Sequence, residues 1–160
     1  VRYGEVARES VHALKFRGRR VLAAPLGDLI ADLAWTTALP YGRPELLVPV
    51  PLHPGRERER GYNQALLLAR RVGRAWGVPV CADALERTLA TRPQTELSAE
   101  ARRANVRGAF SLRRPEPVAG RHVALIDDVV TTGSTAAACA RCLEAGGASR
   151  VGVLAVARAD

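Results

Sequence analysis

Two adjacent carboxylates, Asp127 and Asp128, stand at the end of the apolar run Val123-Ala-Leu-Ile126. Val129, Val130 and the small, hydroxylated stretch Thr131-Thr-Gly-Ser-Thr135 follow them. A turn of small residues at a helix start aims several free backbone N–H groups and hydroxyls at one point, at the positive end of the helix dipole. That is a socket for a phosphate monoester, and Gly133 lets the backbone approach closely or take a positive φ. Two neighbouring acids are costly unless something neutralises or hydrogen-bonds them. Vicinal ribose hydroxyls would do so, with Mg²⁺ able to join. The spacing therefore suits a ribose 5-phosphate, hydroxyls on the acids and phosphate on the loop. The plainer alternative is a strand-turn-helix with an acidic cap. The stretch lacks the lysine of a Walker loop and the glycine spacing of a dinucleotide fingerprint.

Elements must hold these residues in place, and the rest of the chain supplies them. Apolar positions at helical spacing (Val6, Val11, Leu14) predict a first helix from Tyr3 to about Phe16, stopped by Gly18. A second runs from about Arg20 to Leu39, and Pro40 to Pro44 break it. Leu46-Leu-Val-Pro-Val50 reads as a buried parallel strand that Pro49 ends. Pro51 to Gly61 is polar and turn-forming, and Tyr62 to Trp76 is helical again, with a stripe at Ala65, Leu66, Ala69, Val72 and Trp76. Strands are expected at Val78 to Cys81, Gly108 to Leu112, His122 to Asp127 and Arg150 to Ala157. Thr91 to Arg107 reads as a mobile loop with helical character from Ser98, and Ser134 to Ala145 as a helix that Gly146-Gly147 stops. Alternating strands and helices give an α/β fold, a doubly wound, mostly parallel sheet, with the N-terminal helices packed at one edge or above the strand ends. The 160 residues suit one domain over 1–160, with a helical part at 1–44 and a flexible loop region at 87–110.

Composition narrows the partners. The net charge of +8 comes almost wholly from arginine, Lys15 being the only lysine, and the pI is about 10.6. Guanidinium forks match phosphate oxygens, so phosphorylated small molecules and nucleic acids both qualify as partners. A GC-rich genome or a heat-adapted surface would produce the same bias. Aromatics at 4% leave little from which to build a stacking platform for single-stranded nucleic acid. Cys139 and Cys142 form a C-x-x-C without a second pair, so they read, with Cys81, as small buried thiols, and no zinc is expected. No apolar run approaches membrane-spanning length and no secretory signal is visible, so the expectation is a cytoplasmic protein without membrane insertion.

Asp127-Asp-Val-Val-Thr-Thr-Gly-Ser-Thr135 resembles the phosphoribosyl pyrophosphate (PRPP) motif of type I phosphoribosyltransferases. Val48-Pro-Val-Pro-Leu-His53 with Arg56-Glu-Arg-Glu-Arg-Gly-Tyr-Asn-Gln64 is similar to the pattern of ComF-type competence proteins, the DNA-uptake relatives of the amidophosphoribosyltransferases. Lys15-Phe-Arg-Gly18, Arg87, Gln94, Arg102, Asn105 and Gly108-Ala-Phe110 match as well, so the resemblance covers nearly the whole chain. It implies that Asp127 and Asp128 hold the ribose hydroxyls as the catalytic acids, with Mg²⁺ reaching them through ligand or water. Val130, Thr131, Thr132, Gly133, Ser134 and Thr135 would complete the ribose 5-phosphate site. The turn after the first strand, with Pro51, Leu52, Arg56 and Arg60, would meet the pyrophosphate; for the arginines a solvated zwitterionic loop is the alternative. Many ComF-type proteins begin with a cysteine-rich zinc element, and this sequence starts without those cysteines.

Two functional classes follow. One is Mg²⁺-dependent transfer of a 5-phosphoribosyl group from PRPP, pyrophosphate leaving through an oxocarbenium-like transition state that the carboxylates would stabilise. The other is a binding module that senses PRPP or a nucleotide, or contacts single-stranded DNA or the competence machinery. The acceptor of a transfer reaction and a homodimeric assembly are both left open by the sequence.

Overall fold

The computed structural model describes residues 5–36, 42–89 and 108–158. Three parallel strands form the central sheet: β1 (Leu46–Pro49), β4 (His122–Val130) and β5 (Arg150–Arg158), in the order β1-β4-β5. β1 and β4 run in register from Leu46 opposite Val123 to Pro49 opposite Ile126, and the Val50 N–H still donates to the Ile126 carbonyl at 2.9 Å. On the outer side of β1, Val80 forms a single parallel bridge with Leu47. The strand expected at Val78 to Cys81 is therefore reduced to one bridge, with Pro79 inside it supplying no donor.

Side chains of a strand alternate between faces, and here each set meets its own core. Leu47, Ala124, Ile126 and Val156 face α1 (Glu5–Phe16), α2 (Ala23–Thr36) and α4 (Gln64–Trp76). Leu46, Val48, Val123 and Leu125 face α5 (Ser134–Ala145) and a small antiparallel ribbon, β2 (Leu85–Arg87) with β3 (Phe110–Leu112). Burial on both sides explains why β1 reads as an unbroken apolar run. Helices on both faces of a parallel sheet make the fold doubly wound, and the N-terminal helices lie by β5, the edge strand of the described sheet. No described helix is long and apolar enough to cross a membrane.

The expected second helix divides at its start into a 3₁₀ turn, Arg20–Leu22, and α2. The segment after β1 departs from expectation: Pro54–Arg60 is a helix, α3, rather than a turn. Its capping explains it, because such a short, charged helix has no apolar stripe to hold it. Pro54 is at the first helical position, the His53 ring nitrogen accepts from the Gly55 N–H at 3.2 Å, and Gly61 closes the helix at φ +78°. The Asn63 side chain then caps α4 by accepting from the Ala65 N–H at 2.9 Å, while its amide donates to the Val50 carbonyl at 3.1 Å. One side chain thereby ties the start of α4 to the end of β1. The expected helical turn at Ser98, with Gln94, Arg102 and Asn105, lies outside the described residues.

α4 approaches the outer edge of β1 closely at Gly73, where an added Cβ would stand 2.7 Å from the Val78 carbonyl oxygen and 2.8 Å from Val80 Cγ2. Gly73→Ala is therefore expected to destabilise. Overpacking costs about 1–3 kcal/mol, against about 1 kcal/mol of improved helix propensity. Urea unfolding should show a lower midpoint with an unchanged slope.

Candidate functional site

β4 extends through both acids to Val130, three residues beyond the expected end at Asp127. Strand periodicity then sends consecutive side chains to opposite faces. Asp127 continues the Val123 and Leu125 side, where Arg87 of β2 and Cys139 of α5 act on it electrostatically. Asp128 continues the Ala124 and Ile126 side. There Lys15, in the last turn of α1, places its Nζ 2.8 Å from Asp128 Oδ1.

The two carboxyls differ in their surroundings. Asp128 is 2% exposed, and its second oxygen, Oδ2, is buried without a hydrogen-bond partner among the described residues. Asp127 accepts from the Asp128 backbone N–H at 2.8 Å. Burial, with the neighbouring Asp128 charge adding to it and Lys15 opposing, pushes the Asp127 carboxyl up to about 7. Burial also raises the Cys139 thiol, consistent with a small buried thiol rather than a reactive one.

Beyond the acids the chain turns at Thr131–Gly133, and Gly133 takes φ +74° as it enters α5. The Thr132 and Ser134 hydroxyls lie 2.7 Å apart, Thr132 Oγ1 accepts from the Ser134 N–H at 3.4 Å, and the N-cap residue itself, Gly133, supplies no side-chain bond to the helix start. Asp127, Val129, Val130, Thr131, Gly133, Ser134, Thr135 and Ala136 line one recess. The structure thus gathers Asp127 and most of the expected phosphate loop around one hollow, while Asp128 sits behind it.

Pro51 and Leu52 lie in the connection after β1, with Arg56 and Arg60 on α3. Arg60 is half-buried. Burial lowers its pKa, with Asp128 acting in the opposite sense, and its guanidinium lies 5.3 Å from the Phe16 ring centroid and donates to Gln64. Arg87 lies 5.3 Å from the Phe110 centroid, its pKa lowered by burial and then by Arg56. Arg60 and Arg87 thus act on the acid pair from two elements, and Arg56 acts on both of them, a field suited to a polyphosphate. Arg87 and Lys15 belong to this setting although neither stands among the expected site residues. The signal was present in the matched segments around them, but their proximity to the acids depends on long-range folding.

α1 is fastened to the same region. Tyr62 donates its hydroxyl to the Leu14 carbonyl, and Arg20 donates to the Gly61 carbonyl at 2.8 Å while standing over the Tyr62 ring at 4.6 Å.

No protein-family model matches the chain. Curated relatives do. The DNA utilization protein YhgH of Escherichia coli K12 is 40% identical over 152 residues, which cover 92% of this chain and 65% of the relative. Competence protein F of Haemophilus influenzae is 41% identical over 141 residues, 88% of this chain and 61% of the relative. The chain is a homologue of the ComF-type competence proteins. The chain spans less than two-thirds of the length of these relatives, 65% and 61%. In fold it is similar to the glutamine PRPP amidotransferase of Bacillus subtilis, solved with ADP and GMP, at a TM-score of 0.54 and 21% identity, over 82% of this chain and 26% of that one. The chain therefore has a type I phosphoribosyltransferase fold.

Proposed function

We propose that this ComF-type chain binds PRPP, or another ribose 5-phosphate, at the C-terminal end of β4, and that it serves DNA uptake. The observation that carries the reading is the recess shared by Asp127 and the loop from Thr131 to Thr135, where strand end and helix start converge. In this reading the loop N–H groups and hydroxyls hold the 5-phosphate, Asp127 faces the ribose hydroxyls with Asp128 behind it, and Arg56, Arg60 and Arg87 meet the pyrophosphate. Pro51 and Leu52 contribute backbone to the pyrophosphate side. The link to DNA uptake rests on the names of the two relatives.

For Mg²⁺ the residues fit an indirect role. No three His, Cys, Asp or Glu side chains gather as a metal site among the described residues, and one Asp128 oxygen already faces an ammonium. A cation arriving with the pyrophosphate would be held through the ligand or water beside Asp127, where it would neutralise phosphate charge. If transfer occurs, the C1–pyrophosphate bond breaks, and the carboxylates stabilise positive charge on the sugar while the arginines hold the leaving group. The same pocket without turnover would make the protein a PRPP-sensing or DNA-binding accessory of the transformation machinery. The basic charge of +8 favours that second reading.

Titration calorimetry with PRPP and Mg²⁺, followed by pyrophosphate release with candidate amines and bases, separates the two. Binding with release is expected of an enzyme, and binding alone of a sensor. If PRPP does not bind, while single-stranded DNA binds with a steep salt dependence untouched by Asp127→Asn, the ribose-phosphate reading is wrong.

A further inference from the structure

We propose that Phe16 is a positioning residue for Arg60, its exposed ring holding the guanidinium ready for the pyrophosphate of the ligand. The inference deepens the PRPP reading and rests on it. Three observations carry it. Phe16 is 66% exposed on the last turn of α1, where a large apolar side chain gains little from burial. Its ring nevertheless meets two side chains, the His12 ring at 4.9 Å between centroids and the Arg60 guanidinium at 5.3 Å from its own centroid, within reach of a cation–π attraction. Arg60 is held a second time by Gln64 of α4, a residue only 5% exposed, whose Oε1 accepts from Arg60 Nη1. Finally, the end of α1 and the turn after it grip the two residues that follow Arg60 as well. Arg20 donates to the Gly61 carbonyl, and Tyr62 donates to the Leu14 carbonyl.

An arginine at the end of a short helix has many rotamers to lose when it grips an anion, and contacts that fix it beforehand remove part of that cost. Holding is needed here for a second reason. Arg56 stands on the same helix and acts on Arg60 with like charge, so the two guanidiniums repel each other until an anion lies between them. The ring and the amide oxygen are both neutral, so neither contact cancels the charge that a phosphate would meet. A carboxylate in their place would hold Arg60 as firmly and compete with the ligand for it. Lys15 and Phe16, adjacent in sequence, thus divide their work: the first pairs with Asp128 and the second sets Arg60.

The test titrates PRPP, and ribose 5-phosphate, which lacks the pyrophosphate, calorimetrically in Mg²⁺ into the wild-type protein, Phe16→Leu, Phe16→Trp, Arg60→Ala and the double variant Phe16→Leu/Arg60→Ala. Phe16→Leu keeps an apolar side chain and removes the ring. It should weaken PRPP by about two- to fivefold, the size of an exposed cation–π contact, and leave ribose 5-phosphate unchanged. Phe16→Trp should bind PRPP as the wild-type protein does, since the indole holds a cation at least as well. Once Arg60 is alanine, Phe16→Leu should have no further effect on PRPP, because the ring acts only through the guanidinium. The ring is largely in solvent, so the urea midpoint of Phe16→Leu should stay close to that of the wild-type protein. Folded Phe16→Leu that binds PRPP unchanged, or weakens both ligands equally, overturns the proposal alone. So does a loss that persists without Arg60, or a Phe16→Trp as weak as Phe16→Leu. Failure of the wild-type protein to bind PRPP overturns the PRPP reading, and this inference with it.

Discussion

Asp128→Asn is expected to weaken PRPP binding by about 10- to 100-fold, the range for hydrogen bonds to a charged partner, while leaving the protein folded. The amide is nearly isosteric with the carboxylate, so no cavity opens. The loss falls instead on the charge facing Lys15 and, through it, on the field at the neighbouring Asp127. Stability should respond unequally to the two halves of the pair. Asp128→Asn leaves a lysine whose side chain is a quarter exposed and whose flexible stem lets the ammonium turn to water, so the cost should stay near the ~1 kcal/mol of a surface pair. Lys15→Met leaves a carboxylate that is almost wholly buried, where losing a partner costs about 3–5 kcal/mol. Urea unfolding of the two single variants reads this asymmetry directly, and equal losses would show that Asp128 is better solvated than its burial implies.

The second large effect is on pH. The Asp127 carboxyl is raised from an ordinary 3.8 to about 7 by burial and by Asp128, against the opposing pull of Lys15. Between those values the folded protein keeps a proton that the unfolded chain has lost. The contribution of this group to stability is therefore complete below about 3.8 and is lost as pH rises through about 7. Measured against Asp127→Asn, which has no such titration, the wild-type protein should lose relative stability from pH 4 to 7 and level off above. Ligand binding should run the other way. If the carboxylate form accepts the ribose hydroxyls, affinity should climb with pH by up to about tenfold per unit until the group is ionised, one proton being released per ligand. Phosphate ionisation near pH 6 contributes too, but Asp127→Asn retains that component, so the difference between the proteins isolates the aspartate. Calorimetry in buffers of different ionisation enthalpy counts the proton.

How much of this was legible beforehand depended on distance along the chain. The strand, acid pair, turn and helix from Val123 to Ala145 are contiguous, and local pattern sufficed to place them, although it ended the strand at Asp127 where β4 continues to Val130. That difference matters, because an acid pair on a turn can converge on one sugar, whereas an acid pair within a strand divides between two faces. α3 was hidden because a helix under two turns long, made of Arg and Glu, has no apolar period, and its signal lies in His53, Pro54 and Gly61 around it. β2 was hidden because three residues cannot display alternation, and its partner β3 lies beyond a long intervening passage. The ion pair of Lys15 with Asp128 and the electrostatic attraction between Arg87 and Asp127 join elements remote in sequence. No local property of either basic residue announces its partner; the segments around them matched a known pattern, but only the fold shows what each one faces.

The attachment of α1 has a thermodynamic consequence. Its last turn is joined to β4 through Lys15 and Asp128, and to the end of α3 through Tyr62 and Leu14. Whatever grips or displaces α1 must then alter how Asp128 is held, and so alter the ligand's affinity. Linkage is reciprocal: a ligand that favours the docked helix tightens its hold by the same factor. A single ammonium on the far side of the sheet thus makes occupancy of the pocket legible at the protein's surface.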